Sequence, residues 1–148
     1  MSLDRRDWID AIKRVERHYL IARFSLDRLA TEAQQDSSIS QNQFRVRQIG
    51  EAVKDLEATY IIRLFALIET RLRSYWKPTS GGKRPRMYHL LQQVVARRRI
   101  PNEEHQAAQV IREYRNSLVH EALQFEPIPL ARSRGALCKF LGYLPETW

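Results

Sequence analysis

The side chains best suited to chemistry lie in EYRNSLVHEA, residues 113–122, where Arg115, Asn116 and His120 fall within six positions. An imidazole titrates close to neutral pH, so it can take or give a proton there. A guanidinium is no practical base, but its planar fork matches phosphate oxygens and stabilises charge that develops on them. A carboxamide one helical turn from the imidazole can orient the ring or bind a phosphate oxygen. Those three groups together suit a site that handles phosphate. The plain alternative is a solvated helix face: an exposed histidine, a neighbouring asparagine and an arginine lying along the core edge.

Spacing alone does not separate these readings. With 20 arginines in 148 residues, chance supplies one or two cases of an arginine and a histidine with four to six residues between them. Arg84 with His89, and Arg98 or Arg99 with His105, also fit. Arg84, however, lies in a Gly-Pro stretch, and Pro101 cuts His105 off from the arginines before it. Only Arg115 and His120 share one continuous helical segment. Other catalytic patterns are missing. The histidines and the single cysteine lack metal-ligand spacing, and His105 with Glu103 and Glu104 forms no H-E-x-x-H. Gly81-Gly82-Lys83 lacks P-loop spacing and follows a helix, and no serine sits in a nucleophile elbow. No metal and no cofactor are expected.

The elements that must position these groups are helices. Trp8, Ile12, Val15, Tyr19, Ala22, Leu26, Leu29 and Ala33 repeat at 4-3-4-3 spacing and predict a helix over about residues 3–34. DSSISQNQ, residues 36–43, reads as the connection of a helix hairpin. Over about residues 44–76, Val53, Leu56, Tyr60, Leu64 and Leu67 form one stripe, and Ile61, Phe65, Ile68 and Leu72 form another beside it. Two stripes predict a central helix covered on two sides, with Glu69 a charge inside the apolar stretch. KPTSGGKRPR, residues 77–86, must be a basic loop. A third helix is expected over about residues 87–98 and is stopped by Pro101. A fourth should start with Asn102 as N-cap and run to about residue 121, burying Ala107, Val110, Ile111, Tyr114 and Leu118. EPIP, residues 126–129, precedes a last helix over about residues 130–141. The fold class is therefore all-α: a bundle on a long antiparallel helix hairpin plus two or three shorter helices, one domain over residues 1–148.

Composition sets the remaining bounds. Charged residues make up 28% and apolar residues 43%, ordinary for a soluble chain. One cysteine allows no internal disulfide, the first residues hold no apolar signal core, and no apolar run reaches the roughly 18–20 residues of a membrane span. The expected setting is the cytoplasm, with no membrane partner. A net charge of +8, carried mostly by arginine, draws polyanions to the surface without naming one.

On an ideal helix with Ile111 at the centre of the buried stripe, Arg115 lies about 40° away, Asn116 about 140° and His120 about 180°. His120 thus faces away from its own core, and two-fold pairing with a second copy would bring two His120 and two Arg115 around one cleft.

The hairpin, the basic loop and a late helix bearing Arg115-Asn116-Ser117-Leu118-Val119-His120 resemble the HEPN domain (higher eukaryotes and prokaryotes nucleotide-binding). The segment YIIRLFALIETRLRSYW, residues 60–76, is similar to the second helix of bacterial members. The resemblance implies a helical bundle, usually a homodimer, and metal-independent endoribonuclease activity with Arg115, Asn116 and His120 as catalytic residues. An acidic residue of the second helix sometimes joins such sites, and Glu69 is the candidate. It implies RNA as substrate, a toxin–antitoxin or phage-defence role, and an antitoxin or other protein partner. Arg84, Arg86, Arg97, Arg98, Arg99 and Arg112 are the candidates for guiding the RNA backbone. Other members are non-catalytic, so a module binding RNA, a nucleotide or a protein is the second expectation.

Overall fold

The computed structural model describes residues 4–38, 45–77, 81–120 and 125–148. Among these residues five helices follow in order: α1 (Arg5–Gln35), α2 (Val46–Trp76), α3 (Met87–Arg98), α4 (Asn102–Val119) and α5 (Leu130–Leu141). No strand occurs among the described residues. The expected starts near residues 3 and 44, the end near residue 121, most of the 36–43 connection and residues 78–80 of the basic loop lie outside the described residues.

α1 starts where Asp4 and Asp7 close a reciprocal cap: Asp4 Oδ1 accepts from the Arg6 amide at 3.2 Å, and Asp7 Oδ2 accepts from the Asp4 amide at 3.0 Å. Its heptad seam buries Ile12, Val15, Tyr19 and Ala33 against α2. The pair runs antiparallel, since early residues of α1 meet late residues of α2. The Tyr19 and Tyr60 rings meet tilted at 57° with centroids 5.7 Å apart, and the Trp8 ring lies 4.9 Å from the Arg71 guanidinium carbon. As its two stripes require, α2 is the central element and touches all four other helices. Ile61, Leu64, Phe65, Ile68 and Leu72 are at most 1% exposed, and all five helices contribute to the one core around them.

α4 departs from expectation in two ways. Its N-cap position is Pro101, and Asn102 is the first helical residue with no capping bond from its side chain. Proline fits there because its fixed φ suits the helix entry and its missing N–H is not needed. The buried face also differs. Val110 is exposed, whereas Glu104, Ala108, Gln109 and Ser117 are buried together with Ile111 and Tyr114. The first half of the polar back of α4 is covered by α3, which an alignment to a single stripe does not reveal.

The segment after α5 is a structural part of its own. Leu144 is buried, Arg5 Nη1 donates to the carbonyls of Gly142 and Leu144 at 3.0 and 3.1 Å, and the Arg5 amide donates to Glu146 O at 2.9 Å. Trp148 then lies edge-on to Tyr75 and 3.3 Å above Arg71. The end of the described chain is thereby folded back on α1 and α2.

Candidate functional site

α4 runs antiparallel to α2 and delivers its last turn beside the middle of α2. There the buried Tyr114 phenol is pushed above its ordinary value, mainly by burial and also by the carboxylate of Glu57. Glu57 Oε1 in turn accepts from the Leu130 amide at 2.8 Å, so one carboxylate of α2 caps the start of α5 beside the end of α4. Sequence reading passed over Glu57, because a single acid within an apolar helix gives no sign of which helix end it will meet.

On this platform Arg115 is half-buried. Its Nη1 donates to Asn116 Oδ1 at 3.0 Å, while its Nε is buried and has no hydrogen-bond partner among the described residues. Buried donors are seldom left unmatched, and a charged one least of all. His120 is the C-cap residue of α4: its amide donates to Asn116 O at 3.0 Å, and its side chain is exposed. The helix thus holds the arginine and the asparagine together and leaves the imidazole in solvent one turn further on. Val119 and Phe125, near it in sequence, are exposed large apolar side chains, 45% and 46% accessible.

Glu69 is not brought to this cluster within one chain. It is ion-paired to Arg73 at 2.7 Å, one turn later on α2. It also lies twelve residues past Glu57, about 18 Å further along the helix.

The six arginines expected to guide RNA have separate surroundings. Arg112 is packed between α4 and α3: its Nε donates to Gln109 Oε1 at 2.7 Å, and its guanidinium lies 5.3 Å from the Tyr88 ring. Gln109, buried, also donates to Tyr88 O at 3.3 Å and lies 3.2 Å from His105 Nε2. This polar hub locking α3 onto α4 was not legible in sequence, since glutamine at a helix back reads as solvated. Arg97 stacks on Trp76 at 4.0 Å, and Arg98 Nε donates to Tyr143 O at 2.8 Å. Arg99 is exposed and ends α3 in the left-handed region with φ 52°. The run is therefore three side chains with three tasks. Arg84 and Arg86 are exposed at the end of the basic loop.

Arg84 also lines a cavity of about 490 Å3 between the last turns of α2, the basic loop and the start of α3, together with Arg73, Lys77, Lys83 and Trp76. Counted along α2 from Glu57, this cavity is roughly 20–30 Å from the end of α4. Cys138 is half-buried, and burial raises its thiol above the ordinary value, which leaves it a poor nucleophile. Among the described residues no group of three or more His, Cys, Asp or Glu side chains is placed to hold a metal ion. No helix formed by the described residues is long and apolar enough to cross a membrane. Compared with known proteins, the chain matches no family model, no curated protein and no solved structure.

Proposed function

We propose that this chain is a HEPN-type, metal-independent endoribonuclease that works as a homodimer, with Arg115, Asn116 and His120 of two copies forming one cleft. The observation that carries this reading is the state of Arg115: a withdrawn guanidinium held by Asn116, with Nε unmatched, one turn and a half before a solvent-facing imidazole. A phosphate oxygen would satisfy that Nε, and charge-assisted bonds of this kind are the strong ones. The exposed Val119 and Phe125 give the same end an apolar surface for a second copy.

In the reaction, one His120 accepts the 2′-hydroxyl proton as the 2′-oxygen bonds to phosphorus. The other His120 protonates the departing 5′-oxygen as the phosphorus–oxygen bond breaks. Arg115 binds the non-bridging oxygens, whose charge grows in the transition state. The products are a 2′,3′-cyclic phosphate and a 5′-hydroxyl, and DNA, lacking the attacking hydroxyl, is not cut. A cytoplasmic toxin or phage-defence role, restrained by an antitoxin or similar partner, follows from the same resemblance. Glu69, 18 Å or so along α2 from Glu57 and paired with Arg73, has no part in this scheme within one protomer.

A second reading is a non-catalytic module that binds RNA, a nucleotide or a protein through Arg115. It is favoured by one specific feature: among the described residues of one chain, the Arg115 guanidinium and the His120 ring share no hydrogen-bond partner. Incubating purified protein with RNA in EDTA decides between them. The nuclease reading expects cyclic-phosphate ends from the parent chain and none from His120→Ala. Equal cleavage by both proteins, or a monomer in solution by light scattering, ends it, and salt-dependent RNA binding without cleavage selects the module.

A further inference from the structure

The cavity at the other end of the bundle is a built site in its own right. Thr70, Arg73, Ser74 and Lys77 occupy positions i, i+3, i+4 and i+7 of α2 and so form a single stripe, opposite the buried Leu72 and Tyr75. That stripe is one wall. Lys83, Arg84 and Pro85 of the basic loop form the other, and Trp76 contributes an aromatic edge. Arg73 Nη1 donates to Pro85 O at 3.0 Å, which ties the two walls together. Among the described residues, the lining contains four cationic side chains and no carboxylate. Glu69 pairs with Arg73 from just outside, and Lys77, Lys83 and Arg84 are the other cations of the lining. α3 adds to this field. It begins at Met87 with no side-chain cap and no acid in its first turn, and Pro85 and Leu90, both in the cavity wall, bracket that turn.

We propose that this cavity binds a linear polyphosphate group of at least two phosphoryl units. Cations gathered around a cavity of about 490 Å3 create a field that attracts a polyanion. The volume falls within the range of small-ligand pockets, about 300–1,000 Å3. The span selects the ligand. Arg73 and Lys77 lie about 6 Å apart along α2, and Lys83 and Arg84 line the loop side, so one tetrahedral phosphate cannot extend along the whole lining. An extended phosphate chain can, with arginine forks on its oxygens and lysines as mobile point charges. Because protein cations neutralise the chain, it binds without Mg2+, and a chelated Mg2+ ion weakens it. The same group occurs on a free nucleoside triphosphate and at the 5′ end of a newly made RNA. Pro85 and the edge of Trp76, whose ring already carries Arg97 on one face, give a nucleoside a surface to lie against in either case.

The probe is inorganic triphosphate, titrated calorimetrically into the full chain in EDTA, with sulfate and citrate at matched ionic strength as controls. One site per chain is expected, with affinity falling at least about tenfold in the exposed double variant Lys83→Glu/Arg84→Glu, whose fold is checked by circular dichroism. ATP and a 5′-triphosphorylated oligoribonucleotide, each against its monophosphate counterpart, then identify the source: tighter binding of one assigns it, and equal binding assigns the phosphate chain alone. Triphosphate binding that the double variant leaves unchanged overturns the proposal. So does binding no tighter than that of citrate, since it reports only the general attraction of a +8 chain.

Discussion

Two arginines withdrawn from solvent, Arg71 near the end of α2 and Arg115 near the end of α4, meet opposite fates. Arg71 is 2% exposed and lies between two indoles, at 4.9 Å from Trp8 and 3.3 Å from Trp148. Burial lowers its pKa to about 10, an effect that the nearby charges of Asp4 and Asp7 partly counter. Its surroundings are drawn from α1, α2 and the last residue, so it joins parts of the chain that are far apart in sequence. Arg115 is half-buried and donates through Nη1 to its neighbour Asn116, a bond within one helix. One guanidinium is clasped by indoles from distant parts of the chain; the other is held by the residue beside it. Under the proposed function, a phosphate oxygen is the further partner of this second cation.

The largest effects that test this contrast concern activity. His120→Ala is expected to lower RNA cleavage by about 10²–10⁴-fold, the usual contribution of a positioned acid or base. Arg115→Lys keeps the charge but loses the fork, and should fall in the same range with RNA binding less affected. Single-turnover cleavage assays beside binding isotherms check both. The contrast breaks if Arg115→Lys is fully active.

Stability should respond the other way round. Arg71→Ala removes a stacked, buried side chain and is expected to cost about 2–4 kcal/mol, read as a lower urea midpoint. Arg71→Lys should recover only part of this, because an ammonium cannot stack flat on an indole. Arg115→Ala breaks one hydrogen bond and should stay within about 1 kcal/mol of the parent. If Arg115→Ala proves the more destabilising of the two, the assignment of roles is inverted.

The two ends of α4 repeat the contrast and add a dependence on pH. At its start, Glu104 is buried and pairs with Lys139 of α5 at 2.6 Å. The hydrogen bond from Lys139 holds the Glu104 carboxyl below its ordinary value, and the same bond raises Lys139. For the acid, the unfolded chain binds the proton more readily, so this contribution is present above the ordinary carboxylate range and lost as pH falls through the folded value. For the amine, it is present below the ordinary ammonium range and lost as pH rises through the folded value. Urea midpoints followed from pH 6 towards pH 3 should therefore drop more steeply for the parent than for Glu104→Gln. Parallel curves would show that the pair does not anchor this end of the helix.

The periodic parts of this fold were legible because burial leaves a period. The seam of α1, the double stripe of α2 and the bounds of α3 and α5 all follow from apolar spacing, and the structure places them close to the expected residues. Three features left no period. Gln109 and Arg112 are polar residues covered by α3, and the cover depends on a packing angle that one helix does not encode. Val110 was expected in the core for its apolar side chain, yet the neighbours of α4 lie on either side of it. The Trp8–Arg71–Trp148 clasp joins three distant positions, and no local pattern links them. At the candidate site, the order of Arg115, Asn116 and His120 and the outward direction of His120 could be read from 100° steps. The bond from Arg115 to Asn116, and the unmatched Nε, could not, because both depend on which rotamer the neighbouring helices permit. The polar stripe of Thr70, Arg73, Ser74 and Lys77 was visible in principle, and only the basic loop folding back over it makes it a wall.

The smallest expected effect is at Arg99, the one non-glycine residue with positive φ among the described residues. There α3 turns into α4 through a closed helix end, with the Ile100 amide donating to Val95 O at 3.1 Å and Ile100 buried. A side chain at φ 52° is strained, and glycine is free of that strain. Arg99→Gly is thus expected to raise stability by about 0.5–1 kcal/mol, whereas Arg98→Ala should lower it by losing the bond to Tyr143 O. The same variants measure what the arginine run does for RNA. A contact with the RNA backbone at Arg99 would make Arg99→Gly weaken RNA binding and flatten its salt dependence by about one charge while the protein grows more stable. A turn residue alone would raise stability and leave the salt slope where it was. The opposite signs make the outcome readable even though both effects are small.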